Sequence, residues 1–245
     1  MLKKILLTLL LTLVAAYIVL AVTAFNREPV GNTCLEMQLK IRDTLHAGFI
    51  TREEVASMLD KHQLNPLGCP LAEVRTKALE EVLSRHPLID KVECYKTPGG
   101  ILCVEVAQRI PVLRVMNGQG ESYYVDNKGT VMPPDAKCVA HLAVATGHVE
   151  QAMALGELYR FALFLREDHF WNAQIEQIHV LPDKSVELVP RVGRHIIYLG
   201  PLTGYEQKLE RVREFYERAL NRVGWNKYSR ISVEFGNQVI CTKRE

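Results

Sequence analysis

The chain has 245 residues, a nearly balanced net charge of +2 and 48% hydrophobic residues, enough for one or two globular domains. It contains no stripe of Lys and Arg with interleaved aromatic residues, which argues against a nucleic-acid-binding protein. Its six cysteines form no CxxC pair and no Cys/His ligand spacing, so a zinc site is not expected and buried free thiols are the favoured interpretation.

The N-terminus carries an apolar run over residues 5–25, interrupted only by threonines. As a helix this run would be about 31 Å long at ~1.5 Å per residue, which is enough to cross a bilayer core. Lys3 and Lys4 precede it, and positive charge on the short side favours an N-in orientation. A cleaved signal peptide is the alternative, but its apolar core is usually only ~7–15 residues long. We predict a cytoplasmic tail at residues 1–4, an uncleaved transmembrane helix at 5–25 and a linker at 26–33.

The next stretch predicts a small unit of strand, helix, helix, strand and strand over residues 34–110. Residues 35–41 alternate apolar and polar, which is the period of a half-buried strand. Thr51 and Glu54 form a capping box that opens a helix. A second helix is expected over residues 71–85, where Pro87 stops it.

Two strands with a Pro-Gly-Gly turn at residues 98–100 complete this unit. A two-residue loop would place Cys94 opposite Cys103 and suggest a disulfide, but it would divide the apolar side chains between both faces. A three-residue loop, with its last glycine left-handed, places Cys94 opposite Val104 and gathers the apolar side chains on one face. We therefore predict the three-residue loop and no Cys94–Cys103 disulfide.

The second half predicts an α+β domain over residues 111–245, with helices on a mostly antiparallel sheet. Asp126 and Gly129 mark the turn of a hairpin, and turn chemistry explains Asp126 better than a catalytic role does. Strands are expected over residues 123–125, 130–132, 141–145, 173–181, 185–189, 195–199, 231–235 and 238–242, and helices over 151–166 and 204–221.

Catalytic signatures are missing from the sequence. It contains no GxxxxGK[ST], GxSxG or HExxH motif. His169, beside Phe170 and Trp171, fits a packed or surface histidine. Because no nucleophile, base and orienting group can be assembled, we predict no enzyme activity, no catalytic residues, no cofactor and no metal.

Several motifs resemble a known family. They are FITREEV at residues 49–55, HPLIDKV at 86–92, VEV at 104–106, RIP at 109–111 and YYVD followed by Gly129 at 123–129. The strand–helix–helix–strand–strand unit after one membrane helix resembles a POTRA domain. Together with the second set of strands, the chain resembles the bacterial cell-division proteins of the FtsQ/DivIB family.

The resemblance implies a non-enzymatic scaffold and regulator of the division machinery. Such proteins lie in the cytoplasmic (inner) membrane at the septum with most of the chain in the periplasm. They bind FtsB- and FtsL-type division proteins, add a partner strand to the last β-strands and help to control septal peptidoglycan synthesis. By position, the partner-binding residues here are Arg230, Ile231, Val233, Phe235, Gln238, Val239, Ile240, Cys241 and Thr242.

An exposed C-terminal strand can accept a partner strand through its free N–H and C=O groups, or it can simply be the last strand of the sheet. Both interpretations stay open. A POTRA-bearing envelope-assembly protein is one alternative function, although the single POTRA unit and the N-terminal anchor argue against it. A membrane-anchored cell-wall hydrolase is another, although it would need a metal or nucleophile constellation.

Overall fold

The structure is a computed structural model that describes residues 2–25, 33–42, 50–134 and 142–245. Helix α1 spans Leu2–Phe25 and thus begins within the predicted tail. Over the described residues, no helix combines the length and the apolar character that crossing a membrane requires. The predicted linker lies outside the described residues except for Thr33, as do Phe49, Cys138 and the first residue of the strand predicted at 141–145.

The described chain divides into two compact units, the first ending at Ala107 and the second beginning at Gln108. The first unit has the predicted order of strand, two helices and two strands, and its three-stranded sheet has the order β1-β3-β2 with β1 parallel to β3. Its elements are β1 (Glu36–Arg42), α2 (Arg52–Lys61), α3 (Thr76–Ser84), β2 (Ile89–Lys96) and β3 (Ile101–Gln108).

Local signals explain most of this first unit. The capping box is confirmed, since the Glu54 N–H donates to Thr51 Oγ1 and the Thr51 N–H donates to the Glu54 carboxylate, each at 3.2 Å. The three-residue hairpin loop is confirmed by the Thr97 N–H donating to the Ile101 carbonyl (2.9 Å) and by a left-handed Gly100 (φ +80°). The helix predicted at residues 71–85 is too long, because residues 70–74 form a separate turn and α3 begins only at Thr76.

The second unit contains one nine-stranded sheet in the order β12-β11-β10-β9-β8-β7-β4-β5-β6. Five of its strand pairs are antiparallel, whereas β4–β7, β7–β8 and β10–β11 are parallel, so the sheet is mixed. Its strands are β4 (Pro111–Asn117), β5 (Ser122–Asp126), β6 (Val131–Met132), β7 (Val144–Gly147), β8 (Ile175–Val180), β9 (Val186–Pro190), β10 (Ile196–Gly200), β11 (Tyr228–Ser232) and β12 (Ile240–Lys243).

The helices of the second unit differ from the prediction at two places. The helix expected at residues 151–166 is interrupted at Gly156 into α4 (Gln151–Leu155) and α5 (Glu157–Glu167), and Asp168 then caps an unforeseen α6 (His169–Gln174). The helix expected at 204–221 is α7 (Tyr205–Phe215) followed by a π-helical turn (Tyr216–Leu220) and α8 (Asn221–Val223).

A buried ion pair fixes the start of the second unit. The Asp126 carboxylate accepts hydrogen bonds from Arg109 Nε and Nη2, both at 2.8 Å, and from the N–H groups of Lys128 (3.0 Å) and Thr130 (2.7 Å). Arg109 Nη1 also donates to the Val131 carbonyl at 3.2 Å. One carboxylate therefore closes the β5–β6 turn and holds the segment that leads into β4.

Candidate functional site

Strand β12 is the last strand of the large sheet. It pairs with β11 in antiparallel register, with Cys241 opposite Ile231 and Thr242 opposite Arg230. In the sheet order of the described residues, no strand follows β12 on its other side. Such an edge presents backbone N–H and C=O groups that another extended segment can pair with. We call β12 together with the loop residues that follow Val233, residues 234–243, the C-terminal edge.

Two large apolar side chains lie exposed on the C-terminal edge. Phe235 is 54% exposed and Ile240 is 47% exposed. Gln238 and Thr242 are also exposed, whereas Val239 is half-buried and packs against the core. A segment that adds to the sheet at this edge can cover these apolar side chains.

A groove of about 280 Å³ adjoins this edge. One wall comes from α7 and the following π-helical turn, and the other comes from the loop before β12. Its lining residues are Arg211, Glu214, Phe215, Arg218, Ala219, Asn237, Gln238 and Val239.

Two arginines that line the groove differ in how firmly their side chains are held. Arg211 donates to the Val233 carbonyl at 2.8 Å and so holds the start of the loop. The contact between Arg218 and Glu214 is long, at 3.9 Å, and both side chains are largely exposed, so this pair contributes little to stability. Arg218 therefore remains accessible to an acidic group on a bound segment.

The structure separates the predicted partner-binding residues into two groups. Ile231 and Val233 have no exposed surface, and Arg230 pairs with Glu187 at 2.6 Å and lies 4.4 Å from the centre of the Tyr198 ring. Arg230 and Ile231 lie in β11, between its neighbouring strands, and Val233 follows directly after β11. The others, which lie in the C-terminal edge, are Phe235, Gln238, Val239, Ile240, Cys241 and Thr242.

The exact position of the edge differs from the prediction. Strand β11 ends at Ser232 rather than at residue 235, and β12 begins at Ile240 rather than at residue 238. Cys241 is half-buried, and burial raises the pKa of its thiol, so it stays protonated at neutral pH. The groove was not foreseen, because the charges of the helix over residues 204–221 fit a solvated face and no local signal indicated what faced them.

The second unit also contains a cavity that lies apart from the C-terminal edge. A second, larger cavity of about 630 Å³ lies among the turns that follow β4, β7 and β8, and its Glu150 is paired with Lys184 at 3.1 Å. Among the described residues, no group of three His, Cys, Asp or Glu side chains is placed to hold a metal ion.

Comparisons with known proteins agree with this architecture. The family model described as FtsQ/DivIB, C-terminal related, matches residues 110–242, and the one described as POTRA-like domain matches residues 32–107. The chain is also similar to the "Cell division protein FtsQ" of Rhodothermus marinus, with 24% identity over 216 residues that cover 78% of this chain and 76% of that protein. Since the first match spans more than half of the sequence, the chain belongs to the FtsQ/DivIB family of cell-division proteins.

Proposed function

We propose that this protein is a non-enzymatic scaffold and regulator of the division machinery that binds other membrane division proteins, of the FtsB and FtsL type, through its C-terminal edge. By holding these partners it helps to control septal peptidoglycan synthesis. The observation that carries the proposal is the position of β12 at one end of the nine-stranded sheet that the described residues form, with Ile240 and Phe235 exposed.

The addition of a partner strand explains the exposed side chains of Phe235 and Ile240 better than an edge that binds nothing does. Natural sheets usually protect a free edge with short strands, charges or covering elements. Here β12 is short, ends at Lys243 and is followed by Arg244, yet Ile240 and Phe235 leave apolar surface exposed. A partner strand would gain main-chain hydrogen bonds from the edge and would cover both side chains.

The groove defines the second half of the proposed site. A partner segment that pairs with β12 can continue over Phe215 and Val239, which supply apolar contact, and present an acidic group to Arg218. Specific interfaces of this kind bury on the order of 1,200–2,000 Å² in total. Most of that area would be buried where the partner segment lies along the C-terminal edge.

We further propose that residues 5–25 anchor the chain in the inner membrane with both units in the periplasm. The support is the apolar run itself together with Lys3 and Lys4 before it. A reporter fused after residue 33 tests this topology, because an anchored fusion stays with the membrane fraction. Release of the fused reporter into the soluble periplasm would instead indicate a cleaved signal peptide.

Capture of division proteins from the source membranes tests the binding site. The tagged full-length chain in mild detergent is compared with an Ile240→Lys variant, which places a charge on the apolar edge. The matched control is Met116→Lys, because Met116 is similarly exposed (46%) but lies in β4, in the interior of the sheet order. We expect the parent and Met116→Lys to capture small coiled-coil division proteins. We expect Ile240→Lys to capture at least tenfold less of them.

Two other results would change the proposal. Equal capture by all three proteins would keep the function and move the site away from β12. Failure of the well-folded parent to capture any division protein would overturn the assigned partners.

A further inference from the structure

Two cysteines of the first unit, Cys34 and Cys69, lie opposite each other across a short antiparallel contact. The Cys34 N–H donates to the Cys69 carbonyl (2.8 Å), and the Gly68 N–H donates to the Cys34 carbonyl (2.9 Å). Gly68 is left-handed (φ +78°), so Gly68 and Cys69 together oppose Cys34, as in a β-bulge that begins with glycine. The adjoining Thr33 and Pro70 form an antiparallel bridge.

We propose that Cys34 and Cys69 form an intramolecular disulfide when the first unit faces an oxidising compartment. The compartment rests on the proposed topology, whereas the pairing rests on the backbone contact. Opposite residues of antiparallel strands have Cα atoms about 4.5–5.5 Å apart. Disulfide-bonded cysteines have Cα atoms about 4.4–6.8 Å apart, so this backbone arrangement suits the bond.

In the reduced form each thiol makes only a weak contact with a backbone carbonyl. Cys34 Sγ lies 3.5 Å from the Glu36 carbonyl oxygen, and Cys69 Sγ lies 3.8 Å from that of Asn65. Sulfur–hydrogen groups are weak donors. Rotation of the two side chains therefore exchanges two weak contacts for one covalent bond.

The unequal exposure of the two thiols sets the order of the reaction. Cys69 is exposed, whereas Cys34 is only 1% exposed. The Cys69 thiol loses its proton, and the thiolate attacks a disulfide oxidant such as oxidised glutathione. The S–S bond of the oxidant breaks and releases one thiolate, while the other half stays bound to Cys69 as a mixed disulfide. The deprotonated Cys34 thiol then attacks the Cys69 sulfur and releases the second thiolate. The two cysteines lose two protons and two electrons, and the oxidant is reduced to two thiols.

Cys94 and Cys103 provide an internal contrast in the same unit. The three-residue hairpin loop places Cys94 opposite Val104 rather than opposite Cys103. Burial, with a smaller contribution from the Glu80 carboxylate, raises the pKa of the Cys94 thiol to about 12. Because the thiolate is the reacting form, Cys94 is a poor substrate for exchange.

The bond would fasten the point at which the chain enters the first unit. Residues 33–35 are held on their other side by the Leu35 N–H, which donates to the Gly100 carbonyl at 2.9 Å. A Cys34–Cys69 disulfide would add a covalent tie to the loop between α2 and α3. It would close a loop that contains both β1 and α2, and such closure stabilises the folded state against unfolding.

The test uses the full-length protein in detergent, equilibrated with mixtures of oxidised and reduced glutathione. Free thiols are then alkylated, and peptides from non-reducing digestion are analysed by mass spectrometry. We expect a Cys34–Cys69 linked peptide as the main oxidised product, and a melting temperature that rises on oxidation in the parent but not in Cys34→Ser or Cys69→Ser. Cys94→Ser is the matched control and should behave as the parent does.

The result does not depend on the compartment, because the redox buffer is supplied in the tube, while the fusion reporter tests the topology separately. A product in which Cys69 carries glutathione and Cys34 stays free would overturn the pairing. A dominant bond from either cysteine to another residue, or to a second chain, would overturn it as well.

Discussion

The ion pair between Arg109 and Asp126 offers the most direct test of the folding argument. The perturbation is Asp126→Asn, which keeps the size of the side chain but removes its charge. The amide oxygen can still accept from the N–H groups of the β5–β6 turn. The amide NH₂ would then face the Arg109 guanidinium, so that a donor meets a donor where two hydrogen bonds of 2.8 Å now exist.

The expected cost follows from the burial of the pair. The Asp126 side chain is 1% exposed and that of Arg109 is 15% exposed, so the variant leaves a largely desolvated cation without its carboxylate. Removing one partner of a buried pair typically costs about 3–5 kcal/mol. Since Arg109 keeps some contact with water and its bond to the Val131 carbonyl, we expect about 3 kcal/mol for Asp126→Asn.

Urea unfolding followed by tryptophan fluorescence measures this change in the second unit, because Trp171 and Trp225, the two tryptophans of the chain, both lie there. With a slope of about 1.5 kcal/mol/M, the midpoint should fall by about 2 M. Arg109→Met and the double variant complete a mutant cycle with an expected coupling of at least about 1.5 kcal/mol. A loss below about 1 kcal/mol together with a coupling near zero would refute the buried-pair argument.

Two further predictions concern the second unit. Gly147 has φ +86°, and an added Cβ would lie 2.3 Å from the Val180 carbonyl oxygen. Gly147→Ala should therefore lower the urea midpoint far more than Gly120→Ala, because Gly120 has a similar φ of +87° but open space around it. Equal shifts of the midpoint in the two variants would contradict the close approach at Gly147. Burial lowers the pKa of His195, whose ring nitrogen lies 2.6 Å from the Tyr216 hydroxyl, so the unfolded chain binds the proton more readily and stability falls as pH drops below about 6.5. The midpoint of His195→Gln should depend less on pH between 7.5 and 5.5 than that of the parent, and parallel curves would exclude this role.

Local sequence rules predicted the first unit well. The capping box at Thr51 and the hairpin loop before Ile101 each depend on residues that are close in the sequence. The same rules failed where the outcome depends on distant neighbours. The parallel pairing of β4 with β7 and of β7 with β8 joins strands far apart in the chain, and no local pattern specifies such pairing.

The motifs that carried the family resemblance illustrate the same limit. In the sequence, Arg109 and Asp126 belong to separate motifs, and turn chemistry explains Asp126 without a partner from another motif. The structure keeps that role and adds the pairing with Arg109, which only a three-dimensional arrangement could reveal. A residue placed in a turn by its local chemistry can therefore also be the centre of a long-range contact.

The C-terminal edge shows why sequence position alone does not say which residues of neighbouring strands are exposed. Alternating apolar residues predict a strand but do not say which strand is covered on both sides. Ile231 and Val233 satisfy the alternation because they face the core, whereas Ile240 is equally apolar but lies on a strand that has one neighbour among the strands that the structure describes. The distinction depends on the order of strands in the sheet. A partner that pairs with the backbone of β12 would thus depend on Ile240 and on the open side of the strand, while substitutions at Ile231 would act through folding alone.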